Sequence, residues 1–318
     1  MHHFPLVRRD AAHADQPLVG WRANVGDHVA LDLTGSAPPA GRTLVVLCWN
    51  AWIGRGDIAR VVERIRGGEY ATAGFPGDAP LVALIQEAYR ADESVPARSN
   101  GLMARDFSRR GGHEHDIVAV ARKLALNLRY APSMRNGLAR SDRGNAILAS
   151  LPLDDAVATE LPFSMQRRVV VSATAAVGAT RVRLHSAHFD PRGPGARDLF
   201  GFAGRLRQAH ELIRILHAGG GEPHLLGADL NLARQRAEPA FRALRDAGFV
   251  TGVPARPITW KHTYHRMPRL LLDWILLAAP AGVETFEVRR IDEDPRDDGP
   301  FVFGSDHHPL IARIDFHA

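Results

Sequence analysis

The chain has 318 residues, with Lys+Arg 40 against Asp+Glu 35 for a formal charge of +5, and is 45% hydrophobic and 24% charged. These are globular proportions: they exclude a disordered chain, a collagen-like repeat and a long coiled coil, and the length suits one large domain or two small ones. A single cysteine, Cys48, excludes an intrachain disulfide framework and any cysteine-based zinc site. The basic excess is a weak nucleic-acid signal, because it is nearly all arginine, with Lys123 and Lys261 as the lysines, and forms no basic run.

No apolar run approaches the roughly 18 residues that cross a bilayer. Residues Met1 to Gly20 contain no apolar core of a secretory signal, so a cytoplasmic location is expected; a monomer is expected as well. Residues 1–42, with Gly35, Pro38, Pro39 and Gly41 and little periodicity, read as an irregular leader with one edge hairpin, packed on or preceding a single domain over 43–318. The domain opens with Leu44-Val45-Val46-Leu47, a short apolar run that predicts a strand buried on both faces. Asp57 then caps a helix whose apolar residues Ile58, Val61, Val62 and Ile65 share one face, and Gly67-Gly68 ends it.

A second buried strand is predicted at Leu81–Ile85. Arg90 to Gly112 reads as a long polar loop, before a helix through Ile117, Val118, Ala121, Leu124 and Ala125. Strands are predicted at Ala146–Leu148 and Val169–Val171, and Val182–His185 alternates as a half-buried strand does. After a turn at Pro191–Gly195 comes a helix carrying Phe202, Leu206, Leu212 and Ile213, stopped by Gly219-Gly220-Gly221. A buried strand at His224–Gly227, a helix near Ala240–Ala247, and strands at Trp274–Leu276 and Leu310–Ala312 complete a mixed α/β pattern.

The predicted strands end in groups that bind cations or move protons. Asn50 follows the first, Gln86-Glu87 the second, His188 and Asp190 a later one, and Asp229 and Asn231 the strand at 224–227. Asp273 interrupts an apolar run, and Ser305-Asp306-His307-His308 precedes the last strand. Taken singly, Asn50 and Asn231 fit Asx turns, Glu87 a solvated loop, Arg143 the surface and Cys48 the core. Asp273 is harder to dismiss: flanked by Leu271, Leu272, Trp274 and Ile275, it needs a cation or a histidine as partner. Among 16 histidines, His307 stands out for its acidic neighbour, since a carboxylate on one ring nitrogen leaves the other free to exchange a proton.

In order along residues 44 to 314, the pieces Cys48-Trp49-Asn50, Ile85-Gln86-Glu87, Gly144-Asn145-Ala146-Ile147-Leu148, His185-Ser186-Ala187-His188-Phe189-Asp190, Gly227-Ala228-Asp229-Leu230-Asn231, Leu272-Asp273-Trp274-Ile275 and Ser305-Asp306-His307-His308-Pro309-Leu310 resemble the endonuclease/exonuclease/phosphatase superfamily. That group includes pancreatic deoxyribonuclease, abasic-site endonucleases, inositol-polyphosphate 5-phosphatases and neutral sphingomyelinases. The resemblance implies a four-layer α/β/β/α sandwich of two mainly antiparallel sheets flanked by helices. It implies Mg²⁺, with Mn²⁺ as a substitute, on Glu87, with Asn50 and Asp306 as direct or water-mediated ligands.

It further implies that Asp273 orients His307, which acts as general base or as donor to the phosphoryl oxygens. Asp229 and Asn231 would position the nucleophile or leaving group. His188 resembles the histidine of the family's Thr-His-Leu segment, with Ala187 and Phe189 replacing its neighbours, and would donate to a non-bridging oxygen. His185 is the alternative for that role, and Arg143 and Asn145 are candidate phosphate contacts.

A dinuclear zinc hydrolase is the competing enzyme class. Its His-x-His-x-Asp-His pattern is absent, and His185 and His188, three apart on a strand, point to opposite faces. A binding module that has lost its chemistry would lack one of Glu87, Asp229, Asn231, Asp273, Asp306 and His307, all of which are here. The expected activity is a metal-dependent phosphoesterase, foremost a nuclease-like phosphodiesterase, with a phosphomonoesterase or phospholipase-C-like enzyme on inositol phosphates or lipids as the alternative. Nucleic acid is one phosphate-ester partner among several. The loops 90–112, 191–204, 261–269 and the acidic 292–298 are expected to select it.

Overall fold

The computed structural model describes residues 2–8, 16–35, 41–99, 115–137, 139–194, 198–218, 221–252, 262–278, 282–292 and 301–317. Much of the loops expected to select substrate, namely 100–112, 195–197, 261 and 293–298, lies outside them. In chain order the elements begin with β1 (Leu6–Val7), α1 (Gln16–Arg22), β2 (Val29–Leu31), β3 (Thr43–Asn50), α2 (Ile58–Arg66), β4 (Leu81–Ala91), α3 (Ile117–Leu124), β5 (Asn127–Arg135) and β6 (Ser141–Ala149). They continue with β7 (Asp154–Glu160), β8 (Val169–Val177), β9 (Thr180–His188), α4 (Phe202–His217), β10 (His224–Asp229), α5 (Pro239–Asp246), β11 (Val250–Thr251), β12 (Asp273–Ala278), β13 (Val283–Arg290) and β14 (Leu310–Phe316). No helix among the described residues is long and apolar enough to cross a membrane.

The strands form two seven-stranded sheets, ordered β13-β14-β3-β4-β6-β5-β2 and β1-β7-β8-β9-β10-β12-β11. Most neighbours are antiparallel; β3 with β4, β9 with β10 and β1 with β7 are parallel. The two-residue side-chain period sorts each central strand into two apolar layers. On β3, Val45, Leu47 and Trp49 pack under α2 and α3, while Leu44, Val46 and Cys48 enter the layer between the sheets. On the second sheet Leu225, Ile275 and Leu277 meet them there, and Leu226, Trp274 and Leu276 pack outward with Leu212 of α4 and Leu244 of α5. The four-layer sandwich therefore follows from strands that are apolar on both faces.

The helices start where the side chains allow. Asp57 caps α2 by accepting from Arg60 N, and Asp116 caps α3 by accepting from Val118 and Ala119 N. Asp198 accepts from Ala203 and Gly204 N at the start of α4.

The first 42 residues differ from the expected irregular leader and hairpin. β1 pairs with β7 in one sheet and β2 with β5 in the other, so the two strands lie on different sheets. Arg22 of α1 reaches Glu160, whose Oε1 also accepts from Arg167 Nε at 2.7 Å. The expected loop from Arg90 starts later, because β4 continues to Ala91 and Arg90 is buried on Asp142, with Nη2 to Oδ2 at 2.6 Å.

Candidate active site

Parallel pairing of β3 with β4 and of β9 with β10 carries four strand C-termini to one end of the sandwich, where β12 and β14 begin. The register then sets the residues. Asp229 pairs with His188 on one side and with Asp273 on the other, so the three form a row across the second sheet. Their alternate neighbours Leu184, Leu225 and Ile275 lie between the sheets, so the row faces the first sheet. Asn50 and Gln86 face it from β3 and β4. Gln86 Nε2 donates across to Gly227 O at 3.1 Å and to Ser186 Oγ at 3.2 Å, which fixes one sheet against the other beneath the site.

Glu87 reaches the site through a backbone irregularity. The β4–β6 ladder shifts register between Ile85 and Ala88, and Glu87 sits there at φ 51°. A left-handed non-glycine residue costs about 1–2 kcal/mol, and such bulges re-aim side chains next to active sites. Here Glu87 lines an open cleft of about 500 Å³ together with Asn50, Trp52, Arg143, Arg168, His188, Asp229, Asn231, Tyr264, Asp306 and His307.

The core of the cleft is a hydrogen-bonded acid–imidazole set. His307 Nδ1 lies 2.7 Å from Asp273 Oδ2, and its Nε2 is 3.9 Å from Asp229 Oδ2 and 4.0 Å from Asp306 Oδ1. The His307 segment is held by its backbone: Trp49 Nε1 donates to His307 O at 2.7 Å, His307 N donates to Ser305 Oγ, and Ser305 Oγ donates to Asn50 O. Burial disfavours the imidazolium, but the charge and hydrogen bond of Asp273, then Asp229 and Asp306, outweigh it and raise the His307 pKa to about 10. Burial and the charge of Asp273 push the Asp229 carboxyl above the usual carboxylate range, against the pull of His307 and Asn50.

Asp229 is also the hub for the remaining polar groups. Asn50 Nδ2 donates to its Oδ2 at 2.9 Å, Asn231 N donates to its Oδ1 at 2.9 Å, and His188 Nε2 lies 3.4 Å from Oδ2. Asn231, itself at φ 52°, donates from Nδ2 both to Phe189 O and toward His188 Nε2 at 3.0 Å. That donation makes Nε2 of His188 an acceptor, and burial with the nearby charges of Arg168 and His307 keeps its pKa well below the ordinary histidine value. His188 is therefore neutral, and with Asn231 donating to Nε2 that nitrogen is the acceptor of the ring.

The oxygen donors fit a hard divalent cation. Glu87 and Asp306 line the same cleft, and Asp306 is pushed up by burial and by the charge of Glu87, with His307 and Arg266 opposing. Two mutually repelling carboxylates beside an open cleft suit a cation that takes few protein ligands and completes its shell with water and phosphate. Asn50 Oδ1 accepts from Trp52 N at 3.0 Å and keeps a second lone pair.

The structure thus brings Asn50, Glu87, Arg143, His188, Asp229, Asn231, Asp306 and His307 to one cleft, with Asp273 directly behind His307. Two expected contacts are elsewhere. His185 is fully buried on the opposite face of β9, hydrogen-bonded to Ser172 Oγ at 2.8 Å and stacked on His224, so it is not a phosphate contact. The side chain of Asn145 donates to Val169 O of the facing sheet at 2.6 Å and does not line the cleft. Conversely, Tyr264, tilted on His307 with ring centroids 5.1 Å apart, and Arg168, held by Asp190, were not singled out by the sequence. The Arg167-Arg168 doublet directly before an apolar strand was the available signal for the latter.

The endonuclease/exonuclease/phosphatase family model matches residues 47–307. The chain belongs to that family. No curated protein sequence matches it. Among solved structures, the endonuclease/exonuclease/phosphatase family protein from Leptotrichia buccalis is 14% identical with a TM-score of 0.55, covering 86% of this chain and 100% of that one. The human Nocturnin catalytic domain with bound sulfate is 14% identical at TM-score 0.53, covering 91% and 98%. D. rerio TDP2 complexed with a single-strand DNA product is 13% identical at TM-score 0.52, covering 86% and 99%. At these identities the likeness establishes the fold alone, the two-sheet sandwich.

Proposed function

We propose that this endonuclease/exonuclease/phosphatase family member is a Mg²⁺-dependent phosphodiesterase with a nuclease-like substrate, Mn²⁺ serving as a substitute. The observation that carries this reading is the convergence in one cleft of the Asp273–His307 pair, the Asp229–Asn231 pair, the Glu87 and Asp306 carboxylates, and Arg143 and Arg168. Glu87 and Asp306 would hold the cation, which would supply charge neutralisation to a phosphoryl oxygen.

The residues of the chain divide the rest. Asp229, held by Asn50 and Asn231, orients the attacking water. Nε2 of His307 faces the same position. The carboxylates around His307 favour its imidazolium, which donates to a phosphoryl oxygen; offsetting the charge of Asp306 would move it toward the neutral form that a base requires. Arg143 and Arg168 bind the non-reacting oxygens, and Asp273 fixes the ring of His307. A polynucleotide is favoured over a small ester because the cleft is open and arginine-lined, and because D. rerio TDP2, of the same fold, holds a single-strand DNA product.

The test is hydrolysis of a generic phosphodiester with Mg²⁺ and with EDTA, comparing the parent with Glu87→Ala and His307→Ala. Equal rates in all three proteins reject the proposal. A substrate panel of ssDNA, dsDNA, RNA, inositol phosphates and sphingomyelin then decides the class, and a preference for either of the last two replaces the nuclease reading with the phosphatase or phospholipase-like one.

A further inference from the structure

Behind the catalytic segment lies a second group of imidazoles that the phosphoesterase chemistry does not use. His262, His265 and His308 each offer a ring nitrogen, and these atoms lie within 4.8 Å of one another. His265 and His308 are buried. His265 Nδ1 and His308 Nε2 are 3.0 Å apart, and the His262 ring stands edge-on to His308 with centroids 5.4 Å apart. We infer that these three histidines form a second metal site, for a divalent transition ion of the zinc class, distinct from the hard-cation site on Glu87 and Asp306.

Donor chemistry separates the two sites: neutral imidazoles suit zinc, cobalt or nickel, whereas carboxylate and amide oxygens suit Mg²⁺. The surroundings of His308 match a metal-binding histidine. Its Nδ1 lies 2.9 Å from Asp292 Oδ1, so the carboxylate holds the proton on Nδ1 and leaves the lone pair of Nε2 pointing into the cluster. Zinc–nitrogen bonds of about 2.0–2.1 Å place ligand nitrogens roughly 3.3 Å apart in a tetrahedron; the His265–His308 pair at 3.0 Å is already near that spacing, so only the wider separations, up to 4.8 Å, need to close, by at most about 1.5 Å. His262 is only partly buried, which leaves an entry side and room for water as fourth ligand. Arg290 is the competing charge: its Nη1 lies 3.4 Å from His262 Nε2 and its Nε 2.9 Å from Asp292 Oδ1.

The position gives the site a role. His265 N donates to Asp306 O and His308 N donates to Thr263 O, each at 2.8 Å, so the strand-like segments at 262–265 and 305–308 are already laddered together. Their other face presents Tyr264, Asp306 and His307 to the cleft. An ion on the three histidines clips the two segments from behind.

The experiment uses the full chain, stripped with EDTA, freed of chelator and kept in millimolar Mg²⁺, then titrated with zinc chloride or cobalt(II) chloride. The expected result is one equivalent bound in the micromolar range or tighter, an intense tetrahedral cobalt absorption band, and a zinc-dependent rise in melting temperature. His262→Ala and His265→Ala should each abolish the band and the rise, Asp292→Asn should weaken zinc by about 10–100-fold, and the Glu87→Gln, Asp229→Asn double variant should keep both signals. Should His265→Ala fail to fold, the more exposed His262→Ala and Asp292→Asn decide. Absence of saturable binding to the parent, or binding that survives His262→Ala and is lost in the carboxylate variant, overturns the inference.

Discussion

Asp273 Oδ2 sits 2.7 Å from Nδ1 of His307, while the buried Oδ1 of the same carboxylate has no hydrogen-bond partner among the described residues. An acid placed in this way serves the imidazole alone. Its backbone N–H is held by Thr263 Oγ1 at 2.9 Å, which fixes the start of β12 without occupying the carboxylate. Replacing it by Asn keeps the shape but permits the wrong ring tautomer. Asp273→Asn is expected to lower kcat by about 10³–10⁴-fold with little change in KM, and adding His307→Ala should cost little more, since the two act as a unit. Steady-state kinetics of the three variants on one phosphodiester check this.

Glu87 occupies a left-handed backbone at the β4 bulge. Strain at such a position is tolerated for what the side chain does. Glu87→Gln is expected to raise the Mg²⁺ concentration for half-maximal activity by at least about tenfold, as expected when a cation loses a charged ligand worth about 1.5–3 kcal/mol. Glu87→Gly should be inactive yet melt no lower than the parent, because glycine adopts this conformation freely. A marked fall in its melting temperature would show that the carboxylate, and not the backbone, holds this bulge together.

The packing beneath the site predicts a stability effect without loss of chemistry. A Cβ on Gly227 would come within 2.7 Å of Leu84 Cβ and 3.1 Å of Cys48 Sγ, in the layer where the sheets meet. Gly227→Ala should destabilise by about 1–3 kcal/mol through overpacking, read as a lower denaturation midpoint at unchanged slope. The glycine of this motif is thus explained by sheet-to-sheet approach.

Glu160 gives the pH dependence a sign. Burial alone would raise its pKa, but hydrogen bonds and charge from Arg22 and Arg167 bring it below the usual glutamate range. A carboxyl depressed in the folded state contributes stability above its unfolded pKa and loses it as pH falls through the folded value. Stability should therefore decline below the ordinary glutamate pKa of about 4.3. Glu160→Gln should flatten that decline and cost about 3–5 kcal/mol near neutrality, because it strands the buried Arg167. Urea titrations of both proteins across acid pH test it.

The elements legible in the sequence were those with a clean period and a cap, such as α2 behind Asp57 or the doubly apolar β3 and β10. β5 was not, because Asn127–Arg135 carries Arg129, Pro132 and Arg135 yet is buried throughout; carbonyls and a carboxylate supply the compensation, as Leu31 O, Leu128 O and Asp32 do for Arg129. β13, Val283–Arg290, hides similarly behind charges on an edge. In the site, residues named for their place at strand ends converge, since parallel pairing brings those ends together. Asn145 and His185 were misplaced because a motif carries neither direction nor partners: His185 falls on the outer face of β9 against Ser172, while Asn145, on the same inter-sheet face of β6 as Arg143, spends its amide on Val169 O.

The split destination of β1 and β2 has a practical meaning for anyone shortening this protein. The apparent boundary before Thr43 is not a seam. Cutting there would strip the neighbour from β7 at Ala158–Thr159 and from β5 at Leu128–Tyr130, baring unpaired ladder positions on each half of the sandwich. Naked ladders recruit other chains, so the clipped product should self-associate instead of behaving as a minimal catalytic unit.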